Sequence, residues 1–265
     1  GMGDWAVQSG SGIRFEWGPA GAGHLAGEAA CLVVVDVLSF TTAVSVAVQQ
    51  GIRVLPFWLP DGFAAPAERA AAAKAAAVYA RQCGARLAVA RHTVTPESPW
   101  SLSPAHLRRA PFAARLVLPS PNSAAIAAAA PPRVRVVAAC LRNILAVGEW
   151  LTAHGYGTPN RPVAVIAAGE QWPDGSLRPA LEDLLCAGAL ICDLHVQGAG
   201  PMSVEAAAAK AAYEGTADLR RAVAGCTSGR ELAATGFVED VAIATEEDVD
   251  TVVPVRDGDG AFAPG

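Results

Sequence analysis

The chain has 265 residues, of which 52% are hydrophobic and only 17% are charged, against about 25% charged residues in typical soluble domains. This composition can bury a sizeable core and excludes intrinsic disorder as the main state. The formal net charge is -5 and lysine occurs only at Lys74 and Lys210, so we expect no nucleic-acid partner.

The sequence shows no sign of membrane insertion or export. Its longest apolar stretch, from Leu32 to Val48, carries Asp36 and four hydroxyl residues, which predicts no membrane span. The opening residues lack a basic region followed by an apolar run, so we predict no signal peptide. The six cysteines form no CxxC motif and no zinc spacing with histidine, which indicates reduced thiols. We therefore expect a cytoplasmic protein with no membrane partner.

Four segments repeat one pattern: a short apolar run rich in β-branched residues, a break of small polar residues, and an alanine-rich helical segment. This pattern is typical of βα units in a parallel or mixed sheet. The predicted strand and helix pairs are Cys31–Val35 with Phe40–Gln50, Arg115–Leu118 with Ala124–Ala130, Val134–Ala139 with Ile144–His154, and Val163–Ala167 with Pro179–His195.

The remaining elements complete an α/β fold, which we predict as one domain over residues 1–265, with room for two subdomains beside a central crevice. Further predicted strands are Ile52–Phe57, Arg86–Ala90, Val241–Ala244 and Val252–Val255. Further predicted helices are Pro66–Gln82, Val204–Tyr213 and Asp218–Ala224. The Pro- and Ser-rich stretch Thr93–Pro104 is predicted as a long surface loop.

The polar breaks after the four strands are the candidate site, because ligands of open α/β sheets bind where strands end and helices begin. If the breaks converge, they bring together carboxylates, hydroxyl and amide groups, and one arginine, an inventory that suits Mg²⁺ beside a phosphate. The residues concerned are Asp36, Ser39, Thr41, Thr42, Ser120, Asn122, Ser123, Arg142, Asn143, Glu170, Glu182 and Asp183.

Each break also has a structural interpretation that stays open at this point. Asp36 could be a helix N-cap, and Ser120 to Ser123 could be an ordinary turn. Arg142 could cover a helix end with its aliphatic stem. Glu182 and Asp183 could complement a helix dipole, and adjacent helical residues point about 100° apart, so only one of them is expected to face the crevice.

Other catalytic motifs fit the sequence poorly. The glycine pattern from Gly21 to Ala26 matches a dinucleotide fingerprint formally, but its helix would be interrupted at Gly27. An aspartyl phosphatase of the DxD type would need a second acid at Leu38, and neither Cys140 nor Cys226 has the arginine spacing of a cysteine phosphatase. The five histidines show no HxH or HExxH spacing for zinc.

Several ordered blocks of the sequence resemble the 2-phosphosulfolactate phosphatase family over roughly residues 30–255. These blocks are Val33–Leu38 leading into Thr41–Thr42, Ser120–Ser123, Leu141–Asn143, Leu181–Gly188, and the tail Ser228–Leu232 with Gly236–Val241. The resemblance implies a three-layer α/β/α fold with a mixed sheet, commonly assembled as a homodimer. It also implies a Mg²⁺-dependent phosphatase that hydrolyses (R)-2-phospho-3-sulfolactate to 3-sulfolactate and phosphate, on the way to coenzyme M.

Two places depart from the family pattern. Ser39 and Phe40 stand where the family usually has an arginine after Asp-Val-Leu. Ala90–Thr93 stands where the family tends to have a Gly-Glu-Arg turn, and Arg91 is a candidate substitute for the arginine, whereas the glutamate has no evident counterpart. The phosphatase hypothesis therefore extends to other small phosphorylated acids. The alternative is a catalytically degenerate member that binds an anionic metabolite. The presence of Asp36 and of the Glu182–Asp183 pair favours the enzyme.

The enzyme hypothesis assigns a role to each site residue. Asp36, Glu170, Glu182 and Asp183 are the expected Mg²⁺ ligands, and Asp36, Glu182, Asp183 and Arg142 the expected catalytic residues. Arg142 would stabilise negative charge on the substrate or transition state. The expected substrate-binding residues are Ser39, Thr41, Thr42, Ser120, Asn122, Ser123 and Asn143.

Overall fold

The computed structural model of the protein describes residues 3–60 and 62–265. The helices are α1 (Gly3–Ala6), α2 (Gly18–Leu25), α3 (Phe40–Gln49), α4 (Pro66–Gln82), α5 (Pro104–Arg109), α6 (Ser123–Ala129), α7 (Ile144–Ala153), α8 (Leu181–Val196), α9 (Val204–Glu214), α10 (Leu219–Gly225), α11 (Thr227–Ala234) and α12 (Val238–Ala244). Short 3-10 turns lie at Arg91–Thr93 and Leu141–Asn143. Within the described ranges, no helix is both long and apolar enough to cross a bilayer.

The strands build one large mixed sheet and one small hairpin. They are β1 (Ile13–Trp17), β2 (Cys31–Val35), β3 (Arg53–Trp58), β4 (Arg86–Leu87), β5 (Arg115–Ser120), β6 (Arg135–Ala139), β7 (Val163–Ala167), β8 (Glu170–Gln171), β9 (Leu177–Arg178), β10 (Pro254–Arg256) and β11 (Phe262–Pro264). The large sheet has nine strands in the order β1-β7-β2-β6-β10-β11-β3-β5-β4, and β8 pairs separately with β9.

The large sheet consists of two parallel blocks that run in opposite directions. Strands β1, β7, β2 and β6 are parallel to one another, and so are β3, β5 and β4. The antiparallel hairpin β10–β11 joins the blocks, with Val255 opposite Val137 and Phe262 opposite Val54. The four predicted βα units therefore do not share one parallel run, because β5 belongs to the reversed block.

Helices cover both faces of this sheet, since its central strands are apolar on both sides. Helices α7, α8 and α9 cover one face of the first block, and α4 covers the same face of the second. Helices α2, α3 and α6 cover the opposite face, where Leu32 and Leu116 belong to one apolar cluster. The architecture confirms the predicted three-layer α/β/α fold with a mixed sheet. The single domain over residues 1–265 stays a prediction. Residues 1, 2 and 61 lie outside the described part of the chain. Residues 1 and 2 are among the opening residues on which the signal-peptide prediction rests.

Helix α8 packs against α9 at a distance that only glycine permits. A Cβ atom added to Gly188 would lie 2.1 Å from the carbonyl oxygen of Ala209 and 2.8 Å from Cβ of Tyr213. The backbone of α9 therefore lies directly on α8. This contact fixes the direction of α8, whose first turn carries Glu182 and Asp183.

The segment before β1 is fastened by a buried arginine. Arg14 is only 2% exposed and donates hydrogen bonds to the carbonyl oxygens of Ser11 and Val7. It also pairs with Glu28 at 3.0 Å, and the Glu28 side chain is 45% exposed. The pair ties the edge of the sheet to the turn after α2.

One predicted strand of the tail is a helix, while α11 and β11 were not predicted and the strand expected at Val252–Val255 is β10, Pro254–Arg256. Val241–Ala244, predicted as a strand, is the end of helix α12. Two acidic residues, Glu239 and Asp240, lie in the first turn of α12, where they suit the positive end of the helix dipole. A short apolar run does not distinguish a buried strand from a buried helical turn. Here the acidic residues before the run favour the helix.

The stretch Thr93–Pro104 is a loop as predicted, but its second half is not on the surface. Ser101 and Ser103 are fully buried and Trp100 is 6% exposed. Val89 forms an isolated β-bridge with Ser101, which draws the loop against the core. One residue of this half, Leu102, lines the candidate site.

Candidate active site

A small cavity lies where β2, β5 and β7 end. Its volume is about 290 Å³, and its wall includes polar side chains from five separate parts of the chain. The polar lining residues are Asp36, Ser39, Arg91, Ser120, Asn122, Glu170, Ser228, Glu231 and Thr235. Acidic groups and a guanidinium thus share one enclosure.

Asp36 follows the buried strand β2 directly and is held by the break after β5. The hydroxyl group of Ser123 donates to Oδ2 of Asp36 at 2.6 Å. Burial raises the pKa of Asp36 to about 6, while the Ser123 hydrogen bond lowers it and the nearby Glu182 charge raises it. Asp36 is therefore poised to exchange a proton or to bind a cation.

Glu170 and Glu182 complete an acidic cluster with Asp36. Burial, followed by the charges of Asp36 and Glu182, raises the pKa of Glu170 well above its usual value. Glu182 is 1% exposed, and the thiol of Cys226 donates to its Oε2 atom at 3.2 Å. Like charges in a poorly hydrated place repel one another, so a bound cation would stabilise this cluster.

Asp183 clamps two strand ends, although the sequence hypothesis made it a metal ligand and catalytic residue. Its Oδ1 accepts a hydrogen bond from the backbone N–H of Val37 at 2.8 Å, and its Oδ2 accepts one from Gly169 at 3.0 Å. Burial, followed by the charges of Glu182 and Asp36, raises the pKa of Asp183 well above its usual value. Both carboxylate oxygens are engaged by the backbone, which argues against a place in a metal shell.

The two threonines of α3 that were predicted to bind substrate form hydrogen bonds with the backbone inside the protein. Thr41 and Thr42 are fully buried. Oγ1 of Thr41 accepts the N–H of Asp36 at 2.9 Å, and Oγ1 of Thr42 donates to the carbonyl oxygen of Val37 at 2.6 Å. These side chains stabilise the turn after β2 and are not among the residues that line the cavity, so the structure gives no support to a substrate-binding role for them.

The break after β5 lies at the cavity as expected. Several of its polar side chains, however, form hydrogen bonds within the protein that hold the turn in shape. Ser120 Oγ accepts the N–H of Ser123 at 3.0 Å. Asn122 donates to the carbonyl oxygen of Gly169 at 3.1 Å and accepts from Gln171 at 3.0 Å. Ser120 and Asn122 line the cavity, whereas Ser123 acts on it through Asp36.

Arg142 and Asn143 do not reach the cavity, contrary to the expectation. Arg142 is 2% exposed and donates to Ser45 at 3.1 Å and to Gln49 at 2.9 Å, both on α3. Asn143 accepts the N–H of Cys140 at 3.0 Å. The break after β6 faces α3 instead of the cavity, so the charge-stabilising role expected for Arg142 has no geometric support.

Arg91 is the guanidinium that the cavity does contain. It donates to the hydroxyl group of Ser39, the position where an arginine is usual in the resembling family, and through Nε to Oδ2 of Asp240 at 3.2 Å. Its guanidinium lies 5.6 Å from the centre of the Phe237 ring. Sequence reasoning singled out Arg91 as a substitute arginine but missed the two tail residues that hold it.

Helix α11 forms a wall that sequence reasoning also missed. Ser228, Glu231, Leu232 and Thr235 line the cavity, at the spacing that places residues on one face of a helix. The Ser228–Leu232 block was visible in the sequence as part of the family resemblance, but nothing local indicated that its helix would face Asp36. Glu231 is paired with Arg178 at 3.2 Å.

The donor set of the cavity fits a magnesium ion that is shared with a substrate. Within residues 3–60 and 62–265, no three His, Cys, Asp or Glu side chains are grouped so that they could hold a metal ion by themselves. Mg²⁺ usually keeps several waters and is bound by one or two carboxylates together with substrate phosphate. Asp36 and Glu170, both on the cavity wall, supply carboxylates of this kind.

Comparison with known proteins identifies one family. The sequence model of the family described as 2-phosphosulpholactate phosphatase matches residues 22–259. The comparison with curated proteins found no significant match. The family match covers all the residues that line the cavity, and its description names a phosphatase. On this match, the chain belongs to the 2-phosphosulpholactate phosphatase family.

Proposed function

We propose that the protein is a Mg²⁺-dependent phosphatase that hydrolyses (R)-2-phospho-3-sulfolactate, or a closely similar small phosphorylated acid. Family membership supports a phosphoric monoester hydrolase that acts on a small phosphorylated substrate. The observation that carries the finer proposal is the joint presence of Asp36, Glu170 and Arg91 on the wall of one cavity. Carboxylates suit a hard cation, and a guanidinium suits an acid group.

The size of the cavity supports a small substrate. Its volume of about 290 Å³ lies at the lower end of the range of ligand pockets, which starts at roughly 300 Å³. A three-carbon phospho-acid is small enough for a cavity of this volume. The enclosure therefore favours small metabolites.

Asp36 and Glu170 are the residues that would hold Mg²⁺, with Glu182 next to them. When bound, the ion would neutralise charge on the phosphoryl oxygens and promote attack by water. Ser123 orients the Asp36 carboxylate through its hydrogen bond. Burial and the charges of Asp36 and Glu182 raise the pKa of Glu170 well above its usual value, and a bound cation would offset these effects and favour the carboxylate form.

Arg91 would bind the second acid group of the substrate. Its guanidinium is fixed by Asp240 and by the Phe237 ring, and it faces the cavity beside Ser39. A guanidinium held by a buried carboxylate loses little side-chain entropy when it binds an anion. This arrangement favours phosphorylated carboxylic or sulfonic acids over simple phosphate esters.

The test is phosphate release from 2-phospho-3-sulfolactate and from a panel of small phospho-acids, with Mg²⁺ and with a chelator. Asp36→Asn should lower kcat/KM at least 100-fold, while Asp174→Asn, a surface change in the loop before β9, should leave it unaltered. Turnover by the wild-type protein that persists in the chelator would refute the metal requirement. Ligand-induced thermal stabilisation without any turnover would favour the alternative, a degenerate member that binds an anionic metabolite.

We also propose the homodimer that the family resemblance implies. Light scattering coupled to gel filtration measures the mass in solution directly. A mass of one 27.0 kDa chain at micromolar concentration would exclude a stable dimer.

A further inference from the structure

The hydroxyl group of Ser228 has no partner in the protein. Among the described side chains, Ser228 Oγ is the one buried nitrogen or oxygen atom that makes no hydrogen bond. Ser228 is 5% exposed, and it lines the cavity that contains Asp36 and Glu170. It lies in the first turn of α11, an eight-residue helix.

A buried hydroxyl without a partner is unfavourable, because it loses its hydrogen bonds to water and gains none in return. Native proteins contain few such groups, and those that occur need a specific explanation. At Ser228 the surroundings provide one, since the residue lines a cavity proposed to receive an oxygen-rich anion.

The chain holds Ser228 at this place on both sides. Two residues earlier, the thiol of Cys226 donates to Oε2 of Glu182 and so ties the start of α11 to the acidic cluster. One residue later, a Cβ atom on Gly229 would lie 2.1 Å from the carbonyl oxygen of Val223. Only glycine allows this close approach of α11 to α10, so the backbone at Ser228 is held in place.

The placement along α11 indicates which part of a substrate Ser228 would meet. Its helix begins beside Glu182, a member of the acidic cluster. Arg91 is held by Phe237 and Asp240, which follow the end of α11 in the chain. Ionised carboxylates cannot donate hydrogen bonds to an anion, so a phosphoryl group bound beside the acidic cluster needs a donor of another kind.

We propose that Ser228 is a substrate-binding residue whose hydroxyl group donates a hydrogen bond to a phosphoryl oxygen of the bound phospho-acid. This inference rests on the proposed phosphatase function and adds a residue to its site. It gives α11 a direct part in substrate binding.

The test compares Ser228→Ala with Ser203→Ala. Ser203 is also a buried serine at the start of a helix, but its Oγ accepts the N–H of Ala206 at 3.1 Å, and it lies away from the cavity. Removing an unpaired hydroxyl should not lower the melting temperature of the ligand-free protein, and removing a partnered cap should. Ser228→Ala should instead lower kcat/KM about 10- to 100-fold, the range expected for a hydrogen bond to a charged group. Ser228→Thr, which keeps the hydroxyl group, should recover part of the loss.

Binding of inorganic phosphate, measured by calorimetry, separates this inference from the proposed function. If the wild-type protein turns over no phospho-acid, weaker phosphate binding by Ser228→Ala still supports the role of Ser228. The inference is overturned if Ser228→Ala binds phosphate as the wild-type protein does, if neither protein binds it, or if the variant melts lower with unchanged kinetics.

Discussion

Replacing Asp240 with asparagine removes the charge that holds Arg91 while leaving the shape of the side chain almost unchanged. Asp240 is fully buried; its Oδ1 accepts hydrogen bonds from Ser103 Oγ at 2.7 Å and from the N–H of Ala105 at 3.0 Å. Its Oδ2 accepts from Nε of Arg91 at 3.2 Å. An asparagine would keep its oxygen toward the two donors and turn its amide N–H toward Arg91, so that donor would face donor.

The expected cost follows from the single charge-assisted bond that is lost. Such a bond contributes about 1.5–3 kcal/mol, and the pair is screened little because the Arg91 side chain is only 16% exposed. We expect Asp240→Asn to lower the free energy of unfolding by about 2 kcal/mol, or the melting temperature by roughly 4–8 °C. Asp240→Ala also removes the other two bonds and should cost about 3–5 kcal/mol.

Urea denaturation of a double-mutant cycle with Arg91→Met isolates the pair. The coupling energy should be about 1.5–3 kcal/mol, and a value below about 0.5 kcal/mol would refute the reasoning that Asp240 acts on Arg91. Because Arg91 is assigned to binding the acid group, both single variants should raise KM for phospho-acids more than they lower kcat. A structural role alone would leave KM unchanged in the folded fraction.

Three further predictions concern the metal, a helix contact and an ion pair. Mg²⁺ at tenfold its Kd should stabilise the protein by about 1.4 kcal/mol, seen as a rise in melting temperature that a chelator reverses and that Asp36→Asn lacks. Gly188→Ala should cost about 1–3 kcal/mol in urea denaturation, because the new methyl group meets the Ala209 carbonyl; an unchanged midpoint would contradict this packing. The hydrogen bond from Arg14 lowers the pKa of Glu28 in the folded protein. The Arg14–Glu28 pair therefore contributes to folding stability above the pKa of Glu28 in the unfolded chain, near 4.5, and this contribution is lost as the pH falls through the folded pKa. The melting-temperature difference between wild type and Glu28→Gln should therefore shrink in acid, and a difference independent of pH would count against the pair.

Local patterns were enough to predict several elements, among them β2, which places Asp36. The run Cys31–Val35 is a strand with the predicted bounds because five apolar residues, three of them valine, are followed at once by Asp36. The helix Pro66–Gln82 also has the predicted bounds, with proline in its first turn and alanine through its length. In both cases the information lies within a few residues of the boundary.

The site itself depends on contacts between distant parts of the chain, which local patterns do not contain. Arg142 turns away from the cavity because the segment around Asp250 covers the end of β6, where its N–H donates to the Arg142 carbonyl at 2.9 Å. Arg91 points into the cavity because Asp240, 149 residues later, holds it. Ser228 reaches the cavity that contains Asp36 only after α10 and α11 have packed. The sequence therefore showed which polar residues follow the strands, but it did not show which of their side chains would reach the cavity.

The β10–β11 hairpin has a consequence for synthesis on the ribosome. Strands β6 and β3 each lack one neighbour until this hairpin arrives, and about 120 residues separate the end of β6 at Ala139 from the start of β11 at Phe262. At roughly 5–20 residues per second, a nascent chain exposes both strand edges for about 6–25 s. Open edges pair readily with other chains. We therefore expect variants that weaken the hairpin to aggregate during translation, even where the catalytic activity of the folded protein is unchanged.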